Sequence, residues 1–167
     1  MIKKIISKSE IKRKIKEIAG KIESDFAGKE IMMVSILKGS FIFLSDLIRE
    51  ISLPVECDFI KVSSYKGKEK GKLKIEFLNS LSLKGKNVII VEDIVDTGGT
   101  LNEIIKRIKK EKAAVVKTCA LIVKKKKIKC KLKIDYSGFK IPDKFVVGYG
   151  LDFEEKYRNL DYIGYIK

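Results

Sequence analysis

Three carboxylates, two hydroxyls and two glycines crowd one stretch, Glu92-Asp93-Ile94-Val95-Asp96-Thr97-Gly98-Gly99-Thr100, directly after the apolar run Val88-Ile89-Ile90-Val91. A helical period follows in Leu101, Ile104, Ile105 and Ile108. The Asp96 to Thr100 turn therefore joins a strand to a helix, and the free amides of the helix N-terminus, with glycines admitting close approach, make a phosphate cradle. The GxxxxGK[ST] spacing of a Walker loop is absent. Phosphate alone does not account for Glu92, Asp93 and Asp96, which would repel it. Adjacent carboxylates suit the 2- and 3-hydroxyls of a ribose, with magnesium close by. A sugar phosphate satisfies both halves of the motif.

The chain has no histidine. That removes Ser-His-Asp and Cys-His nucleophilic catalysis, HExxH zinc sites and histidine acid–base work. Chemistry falls to carboxylates, lysines, arginine, backbone amides and a hard, oxygen-bound metal. Cys57, Cys119 and Cys130 form no CxxC pair and are odd in number, so they read as reduced thiols. The formal charge of +15 fits an anionic small-molecule ligand as well as it fits nucleic acid. The densest basic run, Lys124-Lys125-Lys126-Lys127, has no interleaved aromatics to stack bases. Nucleic acid is thus not the expected partner. No apolar run reaches the roughly 20 residues of a membrane helix. The basic start Met1-Ile2-Lys3-Lys4-Ile5-Ile6 lacks the apolar stretch of about 7–15 residues of a secretory signal. A cytoplasmic protein with no membrane partner is expected.

Alternating element types must position the phosphate loop. Residues 7–29 read as an amphipathic helix through Ile11, Ile15, Ile18, Ile22 and Phe26, with Ser7 and Glu10 as a capping box. Residues 31–37 read as a buried strand, 41–51 as a helix, and 55–62 as a strand after Pro54. The stretch 63–72, with two glycines and four lysines, reads on its own as a solvated hairpin connection. Strands at 73–78, 88–91, 114–123, 145–147 and 162–166 complete the pattern. Unalternating apolar strands separated by helices argue for an α/β chain with a mainly parallel sheet covered on both faces. Residues 1–167 read as one domain, since no linker or repeat interrupts them.

The run from Val88 to Thr100 resembles the phosphoribosyl-pyrophosphate motif of the type I phosphoribosyltransferases. Taken alone it marks only that superfamily. The segment Ile141-Pro142-Asp143-Lys144-Phe145-Val146-Val147-Gly148-Tyr149-Gly150-Leu151-Asp152 resembles the base-recognition segment of the hypoxanthine-guanine phosphoribosyltransferases. Tyr157-Arg158-Asn159-Leu160, Leu37-Lys38-Gly39-Ser40, Ser64-Tyr65 and Leu121-Ile122-Val123-Lys124 follow the family order across nearly the whole chain.

The resemblance implies a central sheet flanked by helices, with a small hood made by the N- and C-terminal segments. It implies transfer of phosphoribose from phosphoribosyl pyrophosphate to N9 of hypoxanthine or guanine, yielding IMP or GMP and pyrophosphate with Mg2+. Glu92, Asp93, Asp96, Thr97, Gly98, Gly99 and Thr100 would hold the phosphoribosyl group. Lys38, Gly39, Ser64, Tyr65 and Arg158 would hold pyrophosphate, with a cis peptide between Leu37 and Lys38. Lys124, Lys144, Phe145, Val146 and Asp152 would bind the base, Phe145 by stacking and Lys124 by donating to O6. Asp96 would be the general acid/base. Glu92, Asp93 and Asp152 are the implied metal contacts, the first two either directly or only through ribose hydroxyls. The loop after Ser64 would close over pyrophosphate, which replaces the solvated-hairpin reading. A homodimer or homotetramer is implied. Gly99 stands where the family varies, and the lysine-dense loop does not align closely.

Two other readings stay open on the sequence. A phosphoribosyltransferase for adenine, xanthine or a pyrimidine would share the phosphate loop but differ between Lys144 and Asp152. A nucleic-acid-binding regulator of the same fold would keep that loop and could lose Lys38, Asp152 or Arg158.

Overall fold

The computed structural model describes residues 2–64, 73–78, 82–124 and 132–166. The elements run β1 (Ile2–Ile6), α1 (Lys8–Asp25), β2 (Ile31–Leu37), α2 (Phe41–Arg49), β3 (Val55–Ser64) and β4 (Leu73–Phe77). They continue β5 (Asn87–Val95), α3 (Gly99–Lys110), β6 (Val115–Val123), β7 (Tyr136–Lys140), β8 (Val146–Val147) and β9 (Ile163–Ile166). The larger sheet has the order β4-β3-β2-β5-β6-β7. Its neighbours are parallel except β4, which returns antiparallel along β3.

The unbroken apolar character of β2, β5 and β6 follows from burial on both faces. Met33, Ile89, Val91, Cys119 and Leu121 point to a core completed by Ile11, Ile15, Ile18 and Ile22 of α1 and by Phe43, Leu44 and Leu47 of α2. Met32, Val34, Val88, Ile90 and Ala120, the alternate residues, point to a second core closed by Leu101, Ile104 and Ile108 of α3. Side chains leave a strand on opposite faces at successive residues, so a strand covered twice has no polar register to show.

The capping box on α1 is present: Glu10 N donates to Ser7 Oγ at 3.3 Å, and Ser7 N donates to Glu10 Oε2 at 2.8 Å. The helix stops at Asp25, short of residue 29, because the chain turns at Gly28 with φ of 71°. α2 likewise ends at Arg49, two residues early. β5 extends to Val95, so Glu92 and Asp93 are strand residues and not part of the loop. Glu92 is paired with Ala120 and Ile94 with Ile122 of β6. The sequence pattern did not reveal β1 or β7. β1 is five residues long with an irregular burial pattern, and β7 is an edge strand carrying Ser137 and Gly138.

The expected hood is a three-stranded sheet of order β1-β9-β8, antiparallel throughout. Ile6, Val146 and Ile163 enter the same core as α1 and α2. That shared core fixes the segment from residue 146 to 162 over the ends of β2 and β5.

Candidate active site

The chemistry-bearing side chains gather beyond the carboxyl ends of β2, β5 and β6, where open parallel sheets bind ligands. Asp96 follows the last residue of β5, and Gly98 sits at φ of 81° as the residue before α3. Only glycine takes that left-handed conformation without steric cost, and it turns the strand sharply into the helix. A cavity of about 160 Å³ lies here, lined by Glu92, Ile94, Val95, Asp96, Thr97, Gly98, Thr100 and Leu101. A side chain at Gly99 would meet nothing closer than Thr97 Oγ1 at 3.8 Å, so the variable position is one with room.

Glu92 and Asp93 are 9% and 8% exposed. Burial first, then the neighbouring Asp93 charge, pushes the Glu92 carboxyl well above the usual range. Burial also raises Asp93, against the hydrogen bond from the Ile94 amide at 2.8 Å. Two adjacent buried carboxylates are costly unless a ligand supplies hydroxyl donors or positive charge.

Lys124 leaves β6 beside this loop. Its amide donates to Val95 O at 3.0 Å, which sets the two strand ends side by side. The side chain is 9% exposed, with Nζ 3.7 Å from Asp96 Oδ2 and 3.4 Å from Asp143 Oδ1. The lysine read as an O6 donor and the aspartate read as an acid/base thus form one ion-paired unit.

Phe145 is 57% exposed and meets Phe153 edge-on, with ring centroids 5.7 Å apart and planes at 83°. Val146 is buried in β8, paired with Tyr165. The Lys144 ammonium lies over the Tyr165 ring, 4.2 Å from its centroid, so its side chain faces the hood.

The third group surrounds the turn from β2 to α2. The Leu37–Lys38 peptide is cis. Behind it, Ser35 Oγ lies 2.6 Å from Ser40 Oγ, and Ser40 Oγ donates to Ile36 O, so two buried hydroxyls brace the turn. Arg158 Nη1 donates to Gly150 O at 2.7 Å while Nη2 lies 2.8 Å from Asp152 Oδ1. Glu155 spans the cations: its Oε2 is 3.1 Å from Lys38 Nζ and 3.3 Å from Arg158 Nη2. Asp152 Oδ2 in turn accepts from Glu155 N at 2.9 Å.

Lys38, Gly39, Asp152 and Arg158 are therefore brought together, and so are Glu92, Asp93, Asp96 and the Thr97–Thr100 turn with Lys124. Ser64 is the last residue of β3, and Tyr65 lies outside the described residues, as does the lysine loop that follows. Lys125, Lys126, Lys127 and Cys130 also lie outside them. Sequence reasoning gave no role to Glu155, Phe153 or Asp143. Asp143 stands inside the quoted base segment, and the other two sit within three residues of Asp152. Position was their only signal.

A glycine-bearing strand-to-helix turn flanked by buried acids, with a hood that presents an aromatic ring, fits a class of sugar-phosphate transferase. A family model described as phosphoribosyl transferase domain matches residues 2–154, and the chain belongs to that family. Within it, the chain is similar to named hypoxanthine-guanine phosphoribosyltransferases. It is 42% identical over 167 residues to that of Lactococcus lactis, covering 99% of this chain and 91% of the relative. It is 44% identical over 162 residues to that of Aquifex aeolicus, covering 95% and 91%. A crystal structure of a hypoxanthine-guanine phosphoribosyltransferase from Bacillus anthracis, holding HEPES in its active site, superposes with a TM-score of 0.94 at 44% identity, covering all of both chains.

Proposed function

We propose that this enzyme transfers the 5-phosphoribosyl group of phosphoribosyl pyrophosphate to N9 of hypoxanthine or guanine, giving IMP or GMP and pyrophosphate in purine salvage. The observation that carries the reading is the Lys124–Asp96 pair at 3.7 Å beside the Thr97–Thr100 turn. It sets a donor for a 6-oxo group next to a carboxylate that handles the base proton. A 6-amino group would present a second donor to the Lys124 ammonium and is rejected.

Thr97, Gly98, Gly99 and Thr100 hold the 5-phosphate on backbone amides and hydroxyls, and Glu92 and Asp93 accept from the ribose hydroxyls. Phe145 stacks on the purine, the Val146 backbone reads its edge, and Lys144 secures this segment against β9. As the C1–O bond to pyrophosphate breaks and the N9–C1 bond forms with inversion, Asp96 takes the proton from the base at N7. Lys38, Gly39 and Arg158, with Ser64 and Tyr65, hold the departing pyrophosphate and neutralise its growing charge.

Glu92, Asp93 and Asp152 offer carboxylate oxygens, which suit Mg2+, an ion that keeps waters and leans on substrate phosphates with one or two carboxylates. Asp152 would hold it at the pyrophosphate, with Glu92 and Asp93 reaching a second ion at the ribose side. Bound there, Mg2+ supplies charge neutralisation to the leaving group.

A cytoplasmic site of action is in keeping with the free Cys57 and Cys119. Among the described residues no helix is long and apolar enough to cross a membrane. A homodimer or homotetramer would cover the apolar surface of Leu37, Phe41, Phe59 and Leu78 that borders Lys38. With phosphoribosyl pyrophosphate and magnesium, hypoxanthine and guanine should each give a spectrophotometric signal of nucleotide formation. Turnover of uracil, orotate or adenine in their place overturns the assignment of the base.

A further inference from the structure

Glu155 has no part in the reaction as drawn, yet its carboxylate lies between the two cations assigned to pyrophosphate, 3.1 Å from Lys38 Nζ and 3.3 Å from Arg158 Nη2. Its backbone is specialised for that placement. Glu154 and Glu155 both take left-handed conformations, φ of 51° and 62°, in a turn closed by the Phe153–Lys156 bridge. Long side chains seldom adopt this region, and such positions persist where the surroundings over-determine them. Here the Asp152 carboxylate does so by accepting the Glu155 amide at 2.9 Å.

We propose that Glu155 is a placeholder anion, standing between Lys38 and Arg158 where a pyrophosphate oxygen goes and giving way when pyrophosphate or its phosphoribosyl ester binds. The inference rests on the reading of Lys38 and Arg158 as the pyrophosphate-binding cations. The side chain is 66% exposed, so it can swing into solvent without disturbing the core. Exposed carboxylate–cation contacts are weak, whereas a pyrophosphate brings several negative oxygens to the same two cations. Glu155 thus keeps Lys38 and Arg158 near their working positions in the empty site, at the cost of competing with the ligand. Its contacts with Lys38 and then Arg158 hold its carboxyl below the usual range, so the competitor is ionised.

The test is the calorimetric Kd of inorganic pyrophosphate, with magnesium, for the unaltered protein, Glu155→Gln and Glu154→Gln. Glu154 removes the same charge one residue away and is in no ion pair among the described residues. Glu155→Gln should tighten pyrophosphate by about three- to tenfold, the scale of one or two exposed ion pairs. Glu154→Gln should change it by less than about twofold, since its charge is screened. An unchanged or weaker Kd in Glu155→Gln, or equal tightening in both variants, overturns the proposal. If the unaltered protein binds no pyrophosphate, the phosphate-site reading fails and the proposal falls with it.

Discussion

A Cβ placed on Gly39 would lie 1.7 Å from Asp93 Oδ2, and one placed on Gly150 would lie 2.1 Å from Gly39 O. The strand that carries Glu92 and Asp93, the turn that carries Lys38 and the hood segment that carries Arg158 therefore touch through two glycines. Replacing Gly39 by alanine would push Asp93 aside or move the turn, and overpacking of this kind costs typically about 1–3 kcal/mol. Gly39→Ala should raise the KM for phosphoribosyl pyrophosphate at least tenfold and lower Tm. An unchanged KM would show that the contact is slack.

Glu92 and Asp93 give the ligand-free protein a pH dependence whose sign is fixed. Their native carboxyls hold protons more tightly than the unfolded reference values of 4.5 and 3.8. The native state then binds more protons than the unfolded one, and stability falls as pH rises from about 4.5 through the raised native values. Glu92→Gln removes the larger contribution. Measured without magnesium or ligand, its Tm should fall less than that of the unaltered protein between about pH 5 and pH 8. A parallel fall in both proteins would assign the pH dependence elsewhere.

Arg158 uses both ends of its guanidinium, Nη1 on Gly150 O and Nη2 on Asp152 Oδ1. Lysine offers one point of charge and cannot hold both partners in the same plane. Arg158→Lys should lower kcat/KM for phosphoribosyl pyrophosphate at least tenfold with little change in the KM for hypoxanthine. Equal loss on both substrates would mean that the arginine supports the hood as a whole.

The strand-to-helix turn at Asp96–Gly98 was legible because its signals are local: strand, acids, glycines and hydroxyls fall within thirteen successive residues, from Val88 to Thr100. Even there the strand end was misplaced. The pairing of Glu92 with Ala120 of β6 keeps the backbone extended where polar side chains suggest a loop. Contacts between distant segments left less trace. Lys38 and Glu155 are 117 residues apart, and Glu155 looks like any surface charge until the hood folds over the β2–α2 turn. Lys124, one of four successive lysines, acquired a role only through the resemblance of its strand to the family. The structure buries its side chain between Asp96 and Asp143, a placement that the run of lysines does not reveal. β7 escaped notice because Tyr-Ser-Gly-Phe-Lys lacks an apolar pattern and lies at the sheet edge.

Lys124→Ala should cut the preference for hypoxanthine over adenine by about one to two orders of magnitude, mostly by weakening hypoxanthine. Loss of a charged hydrogen bond of roughly 1.5–3 kcal/mol accounts for that range. A variant that keeps its full preference would move discrimination to the backbone near Val146.

Asp96→Asn should lower kcat by about 100-fold or more, the scale of a lost acid/base group, while phosphoribosyl pyrophosphate binds with its affinity nearly intact. Unaltered turnover would remove Asp96 from the proton transfer.

The most direct test of the account is kcat/KM for hypoxanthine and for adenine, measured on the unaltered enzyme with saturating phosphoribosyl pyrophosphate and magnesium. A ratio of about 1,000 or more in favour of hypoxanthine is predicted, since a site built to donate to a 6-oxo group is left unpaired by a 6-amino group. Comparable values for the two bases, or a preference for adenine, would contradict it.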